Sequence, residues 1–186
     1  TAVNQVAIAA GRDDSLPTLT GIHIEVNKNN ITMAATDRYR LAVREIPWTP
    51  NDPELTTSAL LRARTLADAA RSIATTKELS FAIAPTTAPE RLIGFATDSK
   101  SMTSRQLDGT FPPYKHLIPT ESASVAVIEV ATLLEAVRRV ALVTEKNTPL
   151  RFKCGATLQL EAGVKDEAQA NEQLAINFKG DPIEIA

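Results

Sequence analysis

Few residues in this sequence of 186 could take part in catalysis or bind a metal. The two histidines, His23 and His116, have no cysteine or carboxylate at metal-ligand spacing, so we interpret both as ordinary surface residues. Cys154, the single cysteine, has no histidine near it in the sequence, which favours a small buried side chain. The 7 glycines are isolated from one another and form neither a phosphate-binding loop nor a nucleophile elbow. We therefore expect no catalytic residue, no metal, no cofactor and no enzymatic activity.

Two segments combine polar, aromatic and proline residues in a way that suits binding. Residues 35–45 read Ala-Thr-Asp-Arg-Tyr-Arg-Leu-Ala-Val-Arg-Glu and place an Asp-containing turn between two strands. Residues 107–115 read Leu-Asp-Gly-Thr-Phe-Pro-Pro-Tyr-Lys and surround a proline pair with aromatic side chains. Side chains of this kind at turns commonly line grooves. The residues alone are equally consistent with two ordinary turns.

Short elements must position these segments, because 11 prolines interrupt the chain. Apolar residues at helical spacing predict a first helix over 2–10, ended by Gly11. A proline-rich crossing leads to a second helix, where Thr65 and Asp68 resemble a capping box. Alternation of apolar and polar residues predicts three strands after each helix, at 22–26, 31–35, 41–46, 79–84, 91–96 and 101–107.

The same order of elements begins again after the polar stretch 119–122, which is the best linker candidate. The elements predicted there are a strand at 124–129, a helix at 130–144 and strands at 150–153, 156–161, 172–178 and 182–185. Five positions in 2–8 align with five positions 134 residues later (136 - 2 = 134), and four of the five pairs are identical. An offset of one domain length indicates tandem domains.

Composition limits the classes of protein that fit. With 20 Lys and Arg against 22 Asp and Glu the net charge is -2, so any contact with nucleic acid must use a local basic patch. The apolar runs are too short to span a membrane, and no signal-peptide pattern is present. One cysteine cannot form an internal disulfide. These features favour a cytoplasmic protein with no membrane partner.

At the two binding segments the chain resembles the beta sliding clamp family of bacterial DNA polymerase III, most closely its actinobacterial members. The resemblance rests on Leu-Thr-Gly at 19–21, on 35–45, on Asp-Gly-Thr-Phe-Pro-Pro-Tyr at 108–114 and on Leu-Ile-Pro at 117–119. It implies an α+β DNA-clamp fold, with tandem domains of two similar helix-plus-antiparallel-strand halves and helices on one face of the sheets. It assigns 1–120 to the middle domain without its first strand, and 121–186 to the first half of the C-terminal domain.

The resemblance implies a processivity factor that encircles duplex DNA as a homodimeric ring in the full-length protein. Its implied partners are the polymerase III alpha subunit, the clamp loader and other proteins with a clamp-binding motif, which insert a short peptide into a groove. The positions that match family groove residues are Leu19, Thr36, Arg40, Leu41 and Pro112. Arg38, Tyr39, His116 and Leu117 also occupy groove positions, with side chains that depart from the enterobacterial pattern.

Basic residues near the predicted helices are the candidates for contacts with DNA in the pore. They are Arg12, Arg64, Arg71, Arg138 and Arg139. Contacts of such side chains with phosphate are weak, sensitive to salt and independent of base sequence, which suits a ring that slides. Asp13 and Asp14 beside Arg12 weaken its assignment.

Two other classes of protein remain open on the residues alone. A ligand-binding or enzymatic domain that used the turn in 35–45 would have a polar pocket with titratable groups. A purely structural repeat domain would have no groove. The clamp interpretation predicts an apolar groove with few ionisable groups.

Overall fold

The computed structural model of the protein describes residues 1–73, 76, 78–85, 87–144, 148–163 and 168–186. These residues form two compact units, Thr1–Pro113 and Tyr114–Ala186. Each unit has its own apolar core. No helix among the described residues is long and apolar enough to cross a membrane.

The first unit consists of two helices packed on antiparallel sheets. Its elements are α1 (Ala2–Ala7), β1 (Gly21–Asn27), β2 (Asn30–Thr36), β3 (Leu41–Pro47), β4 (Thr56–Arg62), α2 (Ala63–Ser72), β5 (Ser80–Ile83), β6 (Leu92–Ala96) and β7 (Ser101–Arg105). One sheet has the order β3-β2-β1-β4 and the other has the order β5-β6-β7. A 3-10 helix, Pro17–Thr20, leads into β1.

The core of the first unit lies between the helices and one face of the four-stranded sheet. Ile22, Ile24 and Val26 alternate along β1 and are fully or almost fully buried, as the sequence predicts for this strand. Val6 of α1 and Leu66 of α2 pack into the same cluster. Burial of the apolar faces of both helices and of the sheet holds the unit together.

Strand β4 is not predicted from the sequence, where this part of the chain has the pattern of a proline-rich crossing before the second helix. Ala59, Leu60 and Leu61 are consecutive and all buried. A strand that is covered on both faces does not show the alternation from which strands are recognised. The first half of the unit therefore has four strands and not the three that were predicted.

The ends of the two helices also differ from the prediction. α1 ends at Ala7, because the amides of Ala9 and Ala10 bond to carbonyls three residues back and the chain tightens into turns. α2 begins at Ala63, directly after β4, with no side-chain cap. Thr65 lies inside that helix, so the predicted capping box is wrong.

The second unit repeats the plan of one helix and an antiparallel sheet. Its elements are β8 (Val125–Val127), α3 (Val130–Val140), β9 (Arg151–Cys154), β10 (Thr157–Gly163), β11 (Gln169–Ala175), β12 (Asn177–Lys179) and β13 (Ile183–Ile185). The strand orders are β11-β10-β9-β13 and β12-β8. Its buried cluster consists of Ala136, Val140, Leu158, Leu160 and Leu174.

Two elements of the second unit depart from their predicted bounds. α3 stops at Val140 and continues as the 3-10 helix Ala141–Val143. The single strand predicted at 172–178 is two strands, β11 and β12.

Glu129 caps α3, and its carboxylate accepts hydrogen bonds from the amides of Ala131 and Thr132 at 3.0 and 2.6 Å.

The two units share their strand pairing as well as their order of elements. β4 in the first unit pairs with β1, the first strand after α1, and β13 in the second unit pairs with β9, the first strand after α3. Helices and antiparallel sheets of this kind define an α+β protein. The α+β class predicted from the sequence is confirmed.

Candidate functional site

The face of the sheet β3-β2-β1-β4 opposite the helices is called the outer face here. Its residues include Gly21, His23, Glu25, Ala34, Thr36, Leu41, Val43 and Leu60. They alternate with the residues of the core, since Ile22, Met33 and Ala42 belong to the cluster beneath the helices. The outer face includes two predicted groove residues, Thr36 and Leu41, which are directly paired across β2 and β3.

A four-residue turn joins these two paired residues and contains the polar part of the predicted site. The Thr36 hydroxyl donates to the Arg40 carbonyl at 2.8 Å and accepts from the Arg38 amide at 3.1 Å. Because the hydroxyl bonds to backbone groups at two points of the turn, it helps to hold the end of β2 beside the start of β3.

Asp37 organises the same turn through three hydrogen bonds. Its Oδ1 accepts from the amides of Tyr39 and Arg40, both at 3.1 Å, and its Oδ2 accepts from Arg40 Nε at 2.9 Å. Burial alone would raise the pKa of Asp37, but the bonds from Arg40 and Tyr39 outweigh it and hold the pKa below its ordinary value of 3.8. The carboxylate is therefore charged at neutral pH.

The turn directs its two remaining side chains outward. Arg38 has φ of 82°, in the left-handed region that non-glycine residues occupy at a cost. Tyr39 is 93% exposed. A large aromatic side chain that is almost fully in water is available for contact with a partner.

An open concavity of about 540 Å³ lies between the turn and the chain that follows α1. It brings together four of the predicted groove residues with the loop around Arg12. Its lining residues are Ala10, Gly11, Arg12, Asp13, Leu16, Leu19, Asp37, Arg38, Tyr39 and Arg40. Leu19 is only 8% exposed, so it supports the concavity from below and offers little surface to a partner.

The remaining predicted groove residues lie in two places. Pro112 is half-buried and follows Phe111, which is buried in the first unit. His116 and Leu117 belong to the 3-10 helix Lys115–Leu117 of the second unit, and both are exposed. Their membership of the groove stays a prediction.

Another concavity, of about 600 Å³, lies between the segment after β3 and strand β5. Trp48 and Phe81 line it, with ring centroids 4.8 Å apart. None of the predicted groove or DNA-binding residues is among its lining residues, so we do not associate it with the site.

The predicted DNA-binding residues of the first unit lie near the helices. Arg12 and Arg64 line one cleft of about 450 Å³, together with Arg62. Arg62 Nη1 donates to Asp14 Oδ1 at 2.5 Å. Arg71 forms an ion pair with Asp68, one turn away on α2. Local carboxylates thus compensate part of the positive charge of this surface.

The two predicted residues of the second unit are neighbours on α3. Arg139 bonds to Glu172 through two nitrogens and lies 3.7 Å from Glu135. The hydrogen bond that Arg139 donates to Glu172 raises the pKa of Arg139 and lowers the pKa of Glu172. Arg139 is therefore less available to phosphate than its sequence position suggests. Arg138 lies beside it on the exposed side of the helix.

Sequence reasoning missed three residues of this region. His23 was interpreted as an ordinary surface residue, but its side chain is only 18% exposed and stacks on Phe111. Asp37 was recognised as part of a turn and not as its organising group. Arg62 was overlooked because β4 was overlooked. The alternation of β1, which places His23 on the same face as Gly21, was the signal available for the first.

The fold and this site define a class of protein by comparison with solved structures. A DNA polymerase III beta subunit from Pseudomonas aeruginosa matches with a TM-score of 0.88 and 21% identity, over 99% of this chain and 50% of that one. The sliding clamp of the same organism bound to griselimycin matches with a TM-score of 0.86 and 24% identity, over 99% of this chain and 49% of that one. The fold is that of the sliding clamps, as predicted.

Sequence comparisons give the family. Family models of the central and C-terminal domains of the DNA polymerase III beta subunit match residues 1–113 and 115–186. The chain therefore belongs to the DNA polymerase III beta subunit family, the bacterial beta sliding clamps, and the resemblance seen in the sequence is confirmed.

Two relatives, each named beta sliding clamp, illustrate the match. The protein from Streptomyces coelicolor is 50% identical over 187 residues, which cover 100% of this chain and 50% of the relative. The protein from Micrococcus luteus is 45% identical over 174 residues, covering 93% of this chain and 55% of the relative. The chain spans about half the length of the relatives it matches.

Proposed function

We propose that this chain is part of a processivity factor, which encircles duplex DNA and tethers the replicative polymerase by binding a short peptide of that partner. The observation that carries the proposal is the outer face. There the paired Thr36 and Leu41 adjoin a turn that is ordered by Asp37 and bordered by an open concavity. Six of the ten residues that line the concavity are ionisable, so it is more polar than the apolar groove that the clamp interpretation predicts. We assign the concavity to the polar rim of the peptide site, with Leu41 as the apolar anchor.

The finer assignments rest on family membership. We infer that 1–120 is the middle domain without its first strand and that 121–186 is the first half of the C-terminal domain. In the full-length protein two copies form a ring in the cytoplasm, and the subunit has no catalytic activity of its own. Its partners are duplex DNA, the polymerase III alpha subunit, the clamp loader and other proteins with a clamp-binding motif. The griselimycin-bound clamp of Pseudomonas aeruginosa supports trial of that compound as a competitor.

A peptide-binding measurement tests the groove. The probe is a fluorescent peptide with a glutamine followed by Leu and Phe anchors, titrated with the full-length protein. Leu41→Ala removes an apolar anchor and is expected to weaken binding by roughly 1 to 3 kcal/mol. Leu79→Ala is the matched control, since Leu79 is 45% exposed and lines the Trp48 concavity instead. An affinity that survives Leu41→Ala and Pro112→Ala together would remove the groove from this surface.

A salt titration tests the contact with DNA. The logarithm of the affinity falls with the logarithm of the salt concentration by about 0.9 for each phosphate neutralised. Changing Arg12 and Arg64 to Ala is therefore expected to lower the slope by up to about 1.8. Arg139→Ala should lower it less, because Glu172 already holds that guanidinium. Equal slopes for the wild type and the Arg12 and Arg64 double variant would exclude this cleft from the DNA contact.

A further inference from the structure

The loop 106–113 carries Pro112 and has no regular secondary structure, yet it is fastened along its length. The amide of Gln106 donates to the Arg91 carbonyl at 2.8 Å. The amide of Leu107 donates to the Leu60 carbonyl, also at 2.8 Å. These two bonds attach the beginning of the loop to strand β4 and to the chain before β6.

Beyond Leu107, contacts with the side chains of Thr18 and His23 hold the loop in place. A Cβ added at Gly109 would lie 2.6 Å from the methyl carbon of Thr18, so the loop passes directly over the 3-10 helix that contains Leu19. Phe111 then stacks on His23, with ring centroids 5.1 Å apart and ring planes inclined by 6°. Parallel rings at this distance are in the range of favourable offset stacking.

His23 is held in place from its own side. It lies on the outer face of β1, between Ala34 on β2 and Leu60 on β4, both of which are buried. Its Nε2 is 3.2 Å from Oε1 of Glu25, two residues along the same face. Neighbours on both sides and the Glu25 contact restrict rotation of the imidazole, which makes it a fixed surface for the Phe111 ring.

The position of Phe111 determines where the chain goes next. Phe111 precedes Pro112, and Pro112 precedes Pro113, so steric restriction confines the backbone of both residues to extended conformations. The proline rings also fix φ near -65° at positions 112 and 113. Because the backbone dihedral angles of these residues can change little, a displacement of Phe111 also displaces Pro112.

We propose that His23 is a positioning residue of the peptide groove: its ring fixes Phe111, and Phe111 places Pro112 against the outer face that carries Thr36 and Leu41. The role rests on the proposed peptide-binding function. His23 does not touch the peptide in this arrangement. It sets the geometry of one wall of the groove.

The test compares a variant without the ring and a variant that keeps one. His23→Ala removes the stack, and His23→Phe retains an aromatic ring without the contact to Glu25. The dissociation constant of the fluorescent peptide is measured in the full-length protein, and amide hydrogen exchange is measured over 107–111. His23→Ala is expected to weaken the peptide by about 3- to 10-fold and to accelerate exchange in that segment. His23→Phe is expected to return both to within about twofold of the wild type.

Two further variants keep the outcome decisive. Phe111→Leu removes the stack from the other side while leaving an apolar side chain in the buried site. It is expected to weaken the peptide as much as His23→Ala does, and it replaces that variant in the test if His23→Ala folds poorly. Wild-type affinity in His23→Ala or in Phe111→Leu would overturn the proposal, as would a loss in His23→Phe equal to that in His23→Ala. If Leu41→Ala weakens the peptide but His23→Ala does not, only the positioning role fails. If neither Leu41→Ala nor Pro112→Ala has an effect, the groove itself fails.

Discussion

The carboxylate of Asp37 is expected to stabilise the first unit through the turn between β2 and β3, and Asp37→Asn tests this. The amide oxygen of asparagine can still accept from the backbone amides of Tyr39 and Arg40, which now bond to Oδ1. The second carboxylate oxygen accepts from Arg40 Nε at 2.9 Å. In the variant this atom is replaced by an NH₂ group, which cannot accept from the guanidinium.

The magnitude follows from the exposure of the two partners. A hydrogen bond to a charged group contributes about 1.5 to 3 kcal/mol in a sheltered site, whereas an exposed ion pair contributes about 0.2 to 1 kcal/mol. The Asp37 side chain is 22% exposed but that of Arg40 is 57% exposed, so water screens the pair substantially. We expect Asp37→Asn to lower the free energy of unfolding by about 1 kcal/mol at pH 7, which is roughly fivefold in the unfolding equilibrium.

The pH dependence of this difference has a defined sign. The folded-state pKa of Asp37 lies below its ordinary value of 3.8, so the folded protein favours the charged carboxylate. The contribution is therefore fully present above about pH 4 and is lost as the pH falls through the lowered pKa. Comparing wild type and variant at each pH cancels the other carboxyl groups of the unit.

Urea unfolding followed by the fluorescence of Trp48 provides the assay. Trp48 is the single tryptophan, lies in the first unit, and donates from Nε1 to the Lys28 carbonyl at 2.7 Å, so its emission reports on that unit. Asp98→Asn is the matched control, because Asp98 lies in the turn between Thr97 and Lys100 and its carboxylate accepts no hydrogen bond from the residues that the structure describes. A difference that is the same at pH 3 and pH 7, or one that Asp98→Asn reproduces, would refute the role assigned to Asp37.

Three other outcomes are expected. Arg38→Gly should stabilise the first unit by roughly 0.5 to 1 kcal/mol, because relief of left-handed strain exceeds the entropy cost of glycine; destabilisation in the Trp48 assay would contradict this. Gly180→Ala should destabilise the second unit by about 2 to 4 kcal/mol, because φ is 113° and a Cβ would lie 2.4 Å from the Ala123 carbonyl oxygen. Thermal or urea unfolding followed by circular dichroism checks this, with Gly155→Ala as the control. A Cβ at Gly155 would lie 3.9 Å from its nearest neighbour, so the free energy of unfolding should change by less than about 0.5 kcal/mol. The Thr132 amide donates to Glu129 and holds the pKa of that carboxyl below its ordinary value of 4.5, so the capping contribution is lost as the pH falls through this lowered pKa. The amide resonance of Thr132 should therefore titrate below pH 4.5 in the wild type and not in Glu129→Gln.

The sequence alone determined the family and the α+β class, and it singled out the turn in 35–45 as a candidate for binding. Local rules were sufficient for β1 and β2, since Ile22, Ile24 and Val26 alternate with polar residues on a half-covered sheet. They were also sufficient to place Thr36 and Leu41 at the two ends of one turn. The family resemblance supplied the roles proposed for these residues, which periodicity does not contain.

Only the tertiary structure revealed β4 and the set of residues that share the outer face. Loop 106–113 attaches to Leu60 and lies along the outer face, so β4 is buried on both sides and loses the alternation that would have identified it. The same contact brings Phe111 to His23, 88 residues apart in the chain (111 - 23 = 88). A ring stack or an ion pair such as Arg139 with Glu172 depends on which distant segments fold together. Spacing along the chain describes one element at a time and carries no information about such pairs.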